Sequence, residues 1–195
     1  MTPEIAKLAR PYCISIVLIM GACERRAEPK NDSVTVAATP SDSATQSSRW
    51  TVDFGGLGPV RAGMTLAQLS EVAGEAVRPK YEFNEECDFV SPKFLPKGVS
   101  IMVLQDSVAR VDINETGVLT KEGAGVGDTE TRVLQLYGSR ARVEPHHYTG
   151  PTGHYVIVQQ PDDTLHRIIF ETDGTKVLVY RAGRGPGVDY VEGCA

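Results

Sequence analysis

Two stretches of the chain repeat one pattern of glycine, threonine and apolar residues. The first runs from Gly63 to Gly74 and the second from Gly127 to Gly138, and they align without gaps, 64 positions apart. Thr65 of the first stretch matches Thr129 of the second, and apolar residues follow in both at the spacing of a helix. Self-similarity of this kind indicates a duplicated structural unit, and it limits the possible folds more than any other feature.

Each stretch is predicted to form one short helix. Thr65 and Thr129 can accept the hydrogen bond of an unpaired backbone N–H, which is typical of the residue before a helix. Gln68 stands three residues after Thr65 and completes a capping box. The closing glycines suit the left-handed end of a helix. We therefore predict helices over 65–73 and 129–137, which are too short to persist unless they pack against other elements.

Runs rich in β-forming residues follow each predicted helix. Asp173 and Gly174 between the last two runs are a strong hairpin signal. The runs are 99–105, 108–113, 154–159, 165–171 and 176–181. A helix followed by antiparallel strands, twice over, predicts an α+β fold of two tandem helix-plus-meander repeats rather than βαβ units.

The repeats are predicted to occupy residues 50–121 and 122–195. Short alternating runs at 50–54 and 188–191 are predicted to be edge strands. Residues 78–97 hold three prolines and are predicted to form a long loop or an irregular strand.

The N-terminus is typical of an exported protein. A basic start is followed by an apolar stretch from Tyr12 to Ala22. A membrane-spanning helix needs ~20 apolar residues, so residues 1–22 are predicted to be a signal peptide. The end of the stretch resembles the lipobox of bacterial lipoproteins, and the resemblance implies that Cys23 is cleaved free and lipidated. The alternative is an ordinary secretory signal with an incidental cysteine.

Residues 23–49 are predicted to be a flexible tether. They are rich in Ser, Thr, Ala, Asp and Pro, and such a segment buries too little apolar surface to offset its ordering entropy. The lipid anchor implies that the membrane is one partner and that the folded domain faces the periplasm. Glu24 after the cysteine resembles an outer-membrane sorting signal more than an inner-membrane one.

Two cysteines remain after the signal peptide and the lipidated residue are set aside. They are Cys87 and Cys194, an even pair in an oxidising compartment, and they are predicted to form a disulfide. A reactive thiol and a metal ligand are the alternatives. Neither cysteine lies in a C-x-x-C motif or near a histidine in sequence.

The repeat resembles a known architecture. A G-x-T start to a short helix, a closing glycine and a following meander are similar to β-lactamase-inhibitor proteins and to SmpA/OmlA-type outer-membrane lipoproteins. The matching residues are Gly63, Met64, Thr65, Gly74, Gly127, Thr129 and Gly138. The resemblance spans roughly 60–190 and implies that an exposed sheet face binds a protein. No inhibitory or assembly residue is carried over.

The sequence contains no nucleophile elbow, P-loop or metalloprotease signature. The formal net charge of -5 argues against nucleic acid as a partner. The alternative function is a metal-dependent or hydrolytic periplasmic enzyme that uses the region of His146, His147, His154 and His166. However, the adjacent His146 and His147 point apart in an extended segment.

The chain is therefore predicted to be a tethered, non-catalytic protein-binding or scaffolding lipoprotein with an envelope protein as its partner. No catalytic residue, metal ligand or cofactor is assigned. Tyrosine and arginine are the residue types that most often anchor interfaces. The predicted binding residues are Tyr155, Tyr180, Arg181 and Tyr190.

Overall fold

The computed structural model describes residues 49–81 and 86–194. The predicted signal peptide, Cys23 and the predicted tether up to residue 48 lie outside the described residues. Within them the chain folds into two β-sheets and two α-helices, with more strand than helix. The predicted α+β class is confirmed.

Both predicted helices are present and begin one residue later than expected. They are α1 (Leu66–Ala73) and α2 (Glu130–Tyr137). The predicted capping box is present at the start of α1. The Thr65 hydroxyl accepts from the Gln68 N–H, and the Gln68 side chain accepts from the Thr65 N–H. The Thr129 hydroxyl accepts from the backbone of α2 in the same way. Among the described residues, no helix has the length and apolar character needed to cross a membrane.

The larger sheet contains seven antiparallel strands in the order β4-β5-β6-β11-β10-β9-β8. Their bounds are β4 Cys87–Val90, β5 Val99–Leu104, β6 Ser107–Ile113, β8 Ala141–Pro145, β9 His154–Gln159, β10 His166–Thr172 and β11 Val177–Arg184. Five of these strands are the five β-rich runs of the sequence. The β8 strand has no sequence signal, because its side chains are mostly exposed and its edge position needs only backbone pairing.

The smaller sheet joins three short N-terminal strands to β7. Its order is β3-β2-β1-β7, and β1 and β7 run parallel. The strands are β1 Thr51–Asp53, β2 Gly56–Leu57, β3 Val60–Arg61 and β7 Leu119–Thr120. The strand predicted at 50–54 is present as β1, but its predicted edge position is wrong, because β1 pairs with β2 on one side and with β7 on the other. The strand predicted at 188–191 is wrong, because Gly187–Asp189 form a 3-10 turn whose carbonyls bond to arginine side chains rather than to a neighbouring strand.

The main core lies on one face of the larger sheet, under both helices and the smaller sheet. The α1 helix packs against β6, α2 packs against β9, and β2 contacts β6 and β11. Phe170 is fully buried there. Its ring centroid lies 5.8 Å from that of Tyr137 and 5.2 Å from that of Tyr180. The Tyr180 hydroxyl donates to the Val118 carbonyl at 2.9 Å, so this buried tyrosine is satisfied.

The hairpins β5–β6 and β10–β11 have the same register. Met102 faces Arg110 in the first, and Glu171 faces Val179 in the second, a shift of 69 positions (102 to 171, 110 to 179). In both hairpins the next pair skips one residue, which makes a β-bulge at the same place. The pairing of β6 with β11 then joins the two hairpins into one sheet.

Each helix is also attached to its hairpin by matching backbone hydrogen bonds. In both cases the residues before the helix exchange two hydrogen bonds with the start of the hairpin's second strand, and the first helical N–H donates to the hairpin turn. The bonds are Gly63 N to Val108 O, Val108 N to Met64 O and Leu66 N to Asp106 O, then Gly127 N to Val177 O, Val177 N to Asp128 O and Glu130 N to Thr175 O.

Replacing Phe170 by alanine is expected to lower the free energy of unfolding by about 3–5 kcal/mol, because the ring is fully buried between two others. Urea denaturation followed by circular dichroism measures this loss. Leu178→Ala is the matched control, since Leu178 is 46% exposed at the bulge of β11 and should change stability by less than about 0.5 kcal/mol. Equal losses of unfolding free energy in the two variants would contradict the packing of Phe170 between Tyr137 and Tyr180.

Candidate functional site

The four histidines do not converge on one site. Three of them contact three different carboxylates. The pairs are His146 Nε2 with Glu171 at 3.4 Å, His154 Nδ1 with Glu130 at 2.9 Å and His166 Nδ1 with Asp163 at 2.9 Å. His147 instead packs edge-on against the Tyr148 ring, with centroids 4.8 Å apart. Within residues 49–81 and 86–194, no three His, Cys, Asp or Glu side chains are grouped to hold a metal ion.

One of these pairs brings a hydroxyl, a carboxylate and an imidazole together. The Glu130 carboxylate accepts from the Thr172 hydroxyl at 2.6 Å and lies 2.9 Å from the His154 ring. In a catalytic triad the imidazole stands in the middle and takes the proton of the hydroxyl. Here the carboxylate stands in the middle, so the order of the groups differs from that of the triad, and the contact attaches the start of α2 to β9 and β10.

The four predicted binding residues lie in three different environments. Tyr180 is in the main core, with 1% of its surface exposed. Tyr155 and Arg181 are buried on the opposite face of the larger sheet. Tyr190 is 38% exposed and follows the 3-10 turn near the C-terminus. The structure thus leaves one of the four at the surface, and the binding role assigned to them stays a prediction.

The second face of the larger sheet is covered by residues 185–194, which we call the C-terminal segment. Arg110 donates from Nη1 to the carbonyls of Gly187 at 2.9 Å and of Tyr190 at 2.6 Å. Arg181 donates from Nε to the Val188 carbonyl at 2.7 Å. The Val188 side chain is fully buried among apolar residues of β9 and β10. The sequence pattern of the strands does not reveal this cover.

The two buried arginines belong to a group of four charges with the partly exposed carboxylates of Asp112 and Glu171. Arg110 Nε lies 3.0 Å from Asp112, Arg181 is paired with the Glu171 carboxylate, and Arg181 faces Asp112 across the β6–β11 pairing. Burial raises the pKa of Asp112 above its ordinary value, and the positive charge of Arg110 opposes this rise. Burial also lowers the pKa of Arg110. Because an unpaired buried charge is costly, the carbonyls of the C-terminal segment complete the arginines' hydrogen bonding.

A disulfide attaches the end of the C-terminal segment to the edge of the sheet. Cys87, the first residue of the edge strand β4, is bonded to Cys194, and their Cα atoms are 5.3 Å apart. The predicted pairing is confirmed. At its other end the segment lies tightly against β6, where a Cβ on Gly187 would stand 2.6 Å from the Ala109 Cβ.

A groove of ≈ 470 Å³ lies beside the C-terminal segment. The start of β4 and the turn between β8 and β9 form its other walls. Its main lining side chains are Glu86, Leu104, His147, Tyr148, Tyr190 and Glu192, together with the disulfide. Tyr148 is 58% exposed, and its hydroxyl donates to the Glu192 carboxylate across the groove. This hydrogen bond is the main cause that raises the pKa of the Tyr148 phenol to about 12.

No protein-family model, curated protein or solved structure matches the chain. The resemblance to inhibitor proteins and outer-membrane lipoproteins therefore stays a prediction. Function has to be inferred from the groove, the C-terminal segment and the charges beneath it.

Arg110, Tyr148 and Glu192 are not among the four binding residues predicted from the sequence. The sequence holds one signal for Arg110, because a charged residue between the apolar residues of a predicted strand is unusual in a core unless it is paired. Tyr148 and Glu192 carry no such signal, since the groove joins segments that are 44 positions apart.

The Cys194→Ser variant is expected to lose about 2–5 kcal/mol of the free energy of unfolding. Hydrogen exchange should quicken most over 191–193, because Arg110 still holds the Tyr190 carbonyl in the variant. Urea denaturation and exchange mass spectrometry measure the two effects. The reduced wild-type protein is the control and should behave as the variant does. Unchanged exchange over 191–193 would show that the disulfide does not hold this end of the segment.

The Glu192→Gln variant is expected to lower the pKa of the Tyr148 phenol from about 12 towards its ordinary value of 10.0, since the charged acceptor is lost. A raised folded-state pKa means that this contact stabilises the fold below pH 10 and that the effect disappears as the pH rises towards 12. NMR titration of ¹³C-labelled tyrosine measures the shift. Glu71→Gln, an exposed site on α1, is the matched control and should leave the Tyr148 titration unchanged; if both variants shift it equally, the contact with Glu192 is not the cause.

Proposed function

We propose that this protein is a membrane-tethered, non-catalytic binding lipoprotein of the bacterial cell envelope. A lipid on Cys23 anchors it, in the outer membrane rather than the inner one, and the domain faces the periplasm. The domain binds an envelope protein through the groove beside the C-terminal segment. The observation that carries this proposal is the pair of exposed tyrosines, Tyr148 and Tyr190, over a groove with a disulfide-bonded wall.

The groove has the properties of a protein contact surface. Tyrosines that are partly exposed supply large contact area at a low cost in side-chain entropy, and they are enriched among residues that dominate binding energy. Tyr148 and Glu192 hold each other in place across the groove. Val191 adds an apolar surface that is 39% exposed between the groove's polar groups. A wall that is ordered before binding reduces the entropy cost of association.

The alternative, a metal-dependent or hydrolytic enzyme, lacks a specific observation in its favour. Three of the four candidate histidines contact separate carboxylates, and His147 contacts a tyrosine ring. The Thr172 hydroxyl lies beside the pair of His154 and Glu130 and donates to the Glu130 carboxylate. These contacts support a structural role for the histidines, and the binding module is the better proposal.

The disulfide supports the proposed compartment. Stable disulfides are typical of exported proteins and rare in the cytosol. Cys87 and Cys194 are both in this bond, so neither is a free thiol. This agrees with export by the predicted signal peptide over 1–22.

We also propose that the domain consists of two copies of one helix-plus-hairpin unit, over 50–121 and 122–195. The hairpins β5–β6 and β10–β11 share their register and their bulge at a constant shift of 69 positions (102 to 171, 110 to 179), and the helices dock on them through matching hydrogen bonds. The pair Asp112 and Arg181 then lies on a local two-fold axis between the copies. In the described residues the second copy continues into the C-terminal segment, which forms one wall of the groove.

A photo-crosslinking amino acid placed at Tyr190 is expected to capture a defined envelope protein in intact cells. The same residue at Leu178, which is exposed and does not line the groove, is the control. Mass spectrometry of the crosslinked band identifies the partner. In a Cys23→Ser background the protein should leave the membrane fraction, and the crosslink should weaken because the tether no longer concentrates the domain at the membrane.

Two results would contradict the proposal. Equal fractionation of the Cys23→Ser variant and the wild type would remove the lipid anchor. A product that forms equally well from position 178 and position 190 would show that the groove is not the contact surface.

A further inference from the structure

We propose that protonation of His146 opens the turn between β8 and β9, residues 146–153, so that acid withdraws Tyr148 from the groove. The inference adds regulation to the proposed binding site, and its effect on binding rests on that proposed function. It follows from the hydrogen bonds of the His146 ring, from the charges around the ring and from the place of the turn in the groove wall.

Both ring nitrogens of His146 have partners. The backbone N–H groups of Tyr148 and Thr149 donate to Nδ1 at 3.2 and 3.3 Å. A ring nitrogen that accepts a hydrogen bond carries no proton, so the proton of the neutral ring is on Nε2. Nε2 lies 3.4 Å from the Glu171 carboxylate, which is an acceptor. The ring is therefore neutral in this turn, with Nε2 as its donor and Nδ1 as its acceptor.

A second proton on the ring removes the acceptor at Nδ1. Both nitrogens of a charged imidazole are donors. The new N–H at Nδ1 then points at the two backbone N–H groups of the turn, which have lost their acceptor. Imidazole is the side chain that ordinarily changes its charge between pH 5 and 8. Mild acid therefore costs the turn two hydrogen bonds and places like partial charges against each other.

The groups that face the ring from other strands do not offset this loss. Glu171 of β10 accepts from Nε2 in both states of the ring, and Arg181 of β11 already pairs with the same carboxylate. The Tyr155 ring of β9 stacks on the imidazole, with centroids 4.4 Å apart. Because the His146 side chain is only 13% exposed, water also does little to stabilise a second positive charge beside Arg181.

The charges beyond these groups are paired with one another. The pairs are Arg110 with Asp112 on β6, Glu144 with Arg142 on β8, and Tyr148 with Glu192 across the groove. His147, the next residue of the turn, packs edge-on against the Tyr148 ring and would add a positive charge of its own in acid. None of these groups is a carboxylate that needs a charged His146 as its partner.

The turn forms one wall of the groove. His147 and Tyr148 line the groove, and Tyr148 is 58% exposed. The two hydrogen bonds to Nδ1 join the backbone of this wall to the residue that follows β8. Their loss frees the Tyr148 backbone to move away from the opposite wall, and the contact of its hydroxyl with Glu192 then breaks.

The test follows the amide hydrogens of Tyr148 and Thr149 by NMR in the full chain purified in detergent. Their exchange is measured at about pH 7.5 and about pH 5.5, near the two limits of imidazole titration, and each rate is divided by the intrinsic rate at that pH. The loss of two hydrogen bonds is expected to lower the protection of both amides about 10- to 30-fold in acid. The ¹⁵N shifts of the His146 ring report its protonation, and the two changes should share one midpoint.

The His146→Asn variant keeps an acceptor and removes the titration. An asparagine Oδ1 accepts from backbone N–H groups two and three residues further on, as His146 Nδ1 does here. Both amides should therefore stay protected at both pH values. His147→Asn is the matched control. It removes the adjacent imidazole and should keep the full loss of protection, because the acceptor of the two N–H groups is His146.

Two results overturn the proposal. One is a wild-type His146 ring that becomes charged while the two amides stay protected, a result that needs no variant. The other is a loss of protection in acid that His146→Asn retains.

Crosslinking from position 190 separates this switch from the proposed function. In washed membranes the crosslink to the partner should weaken about two- to fivefold between about pH 7.5 and about pH 5.5, because a loosened wall raises the entropy cost of binding. It should stay constant in His146→Asn. If the amides respond but the crosslink does not, the control of binding is overturned. If no partner is captured at either pH, the proposed function fails, while the amide exchange still decides whether the turn opens.

Discussion

The pairing of β6 with β11 turns two hairpins into one seven-stranded sheet. Asp112 and Arg181 face each other at the centre of this pairing, and Arg110 and Glu171 complete the charges around them. On one face the joined strands support both helices and a single core. On the other face they bury Arg110 and Arg181, whose positive charges need carboxylates and hydrogen-bond acceptors close by. The covered face, the position of the C-terminal segment and the groove all follow from this junction.

The buried arginines hold the C-terminal segment against the larger sheet. Each guanidinium has five donors, and one carboxylate does not satisfy them. The carbonyls of Gly187, Val188 and Tyr190 accept three further hydrogen bonds from these donors, while the Val188 side chain packs among the apolar residues of β9 and β10. The disulfide closes the segment at its far end. The segment is therefore part of the folded domain and forms one wall of the groove.

Much of the local structure was predictable, because short-range physics decides it. Thr65 with Gln68 specifies the start of α1, and Asp173-Gly174 specifies a hairpin turn, since each needs only neighbours in sequence. The small sheet and β8 were harder, because strands of two residues and exposed edge strands carry little hydrophobic pattern. The run at 188–191 alternates in polarity as a strand does, and this pattern predicted a strand. The prediction is wrong because carbonyls of this run accept hydrogen bonds from arginine side chains and not from a neighbouring strand.

The sequence by itself determined the two helices, the main strands and the pairing of Cys87 with Cys194. Helix caps and the alternation of strand residues depend on neighbours in the chain, and two remaining cysteines allow one intramolecular pairing. Only the tertiary structure decided which predicted binding residues reach the surface. Tyr180 and Arg181 are neighbours, but side chains alternate across a strand, so one enters the core and the other lies under the C-terminal segment. The groove likewise exists only after folding, because Glu86, Tyr148 and Glu192 come from distant parts of the chain.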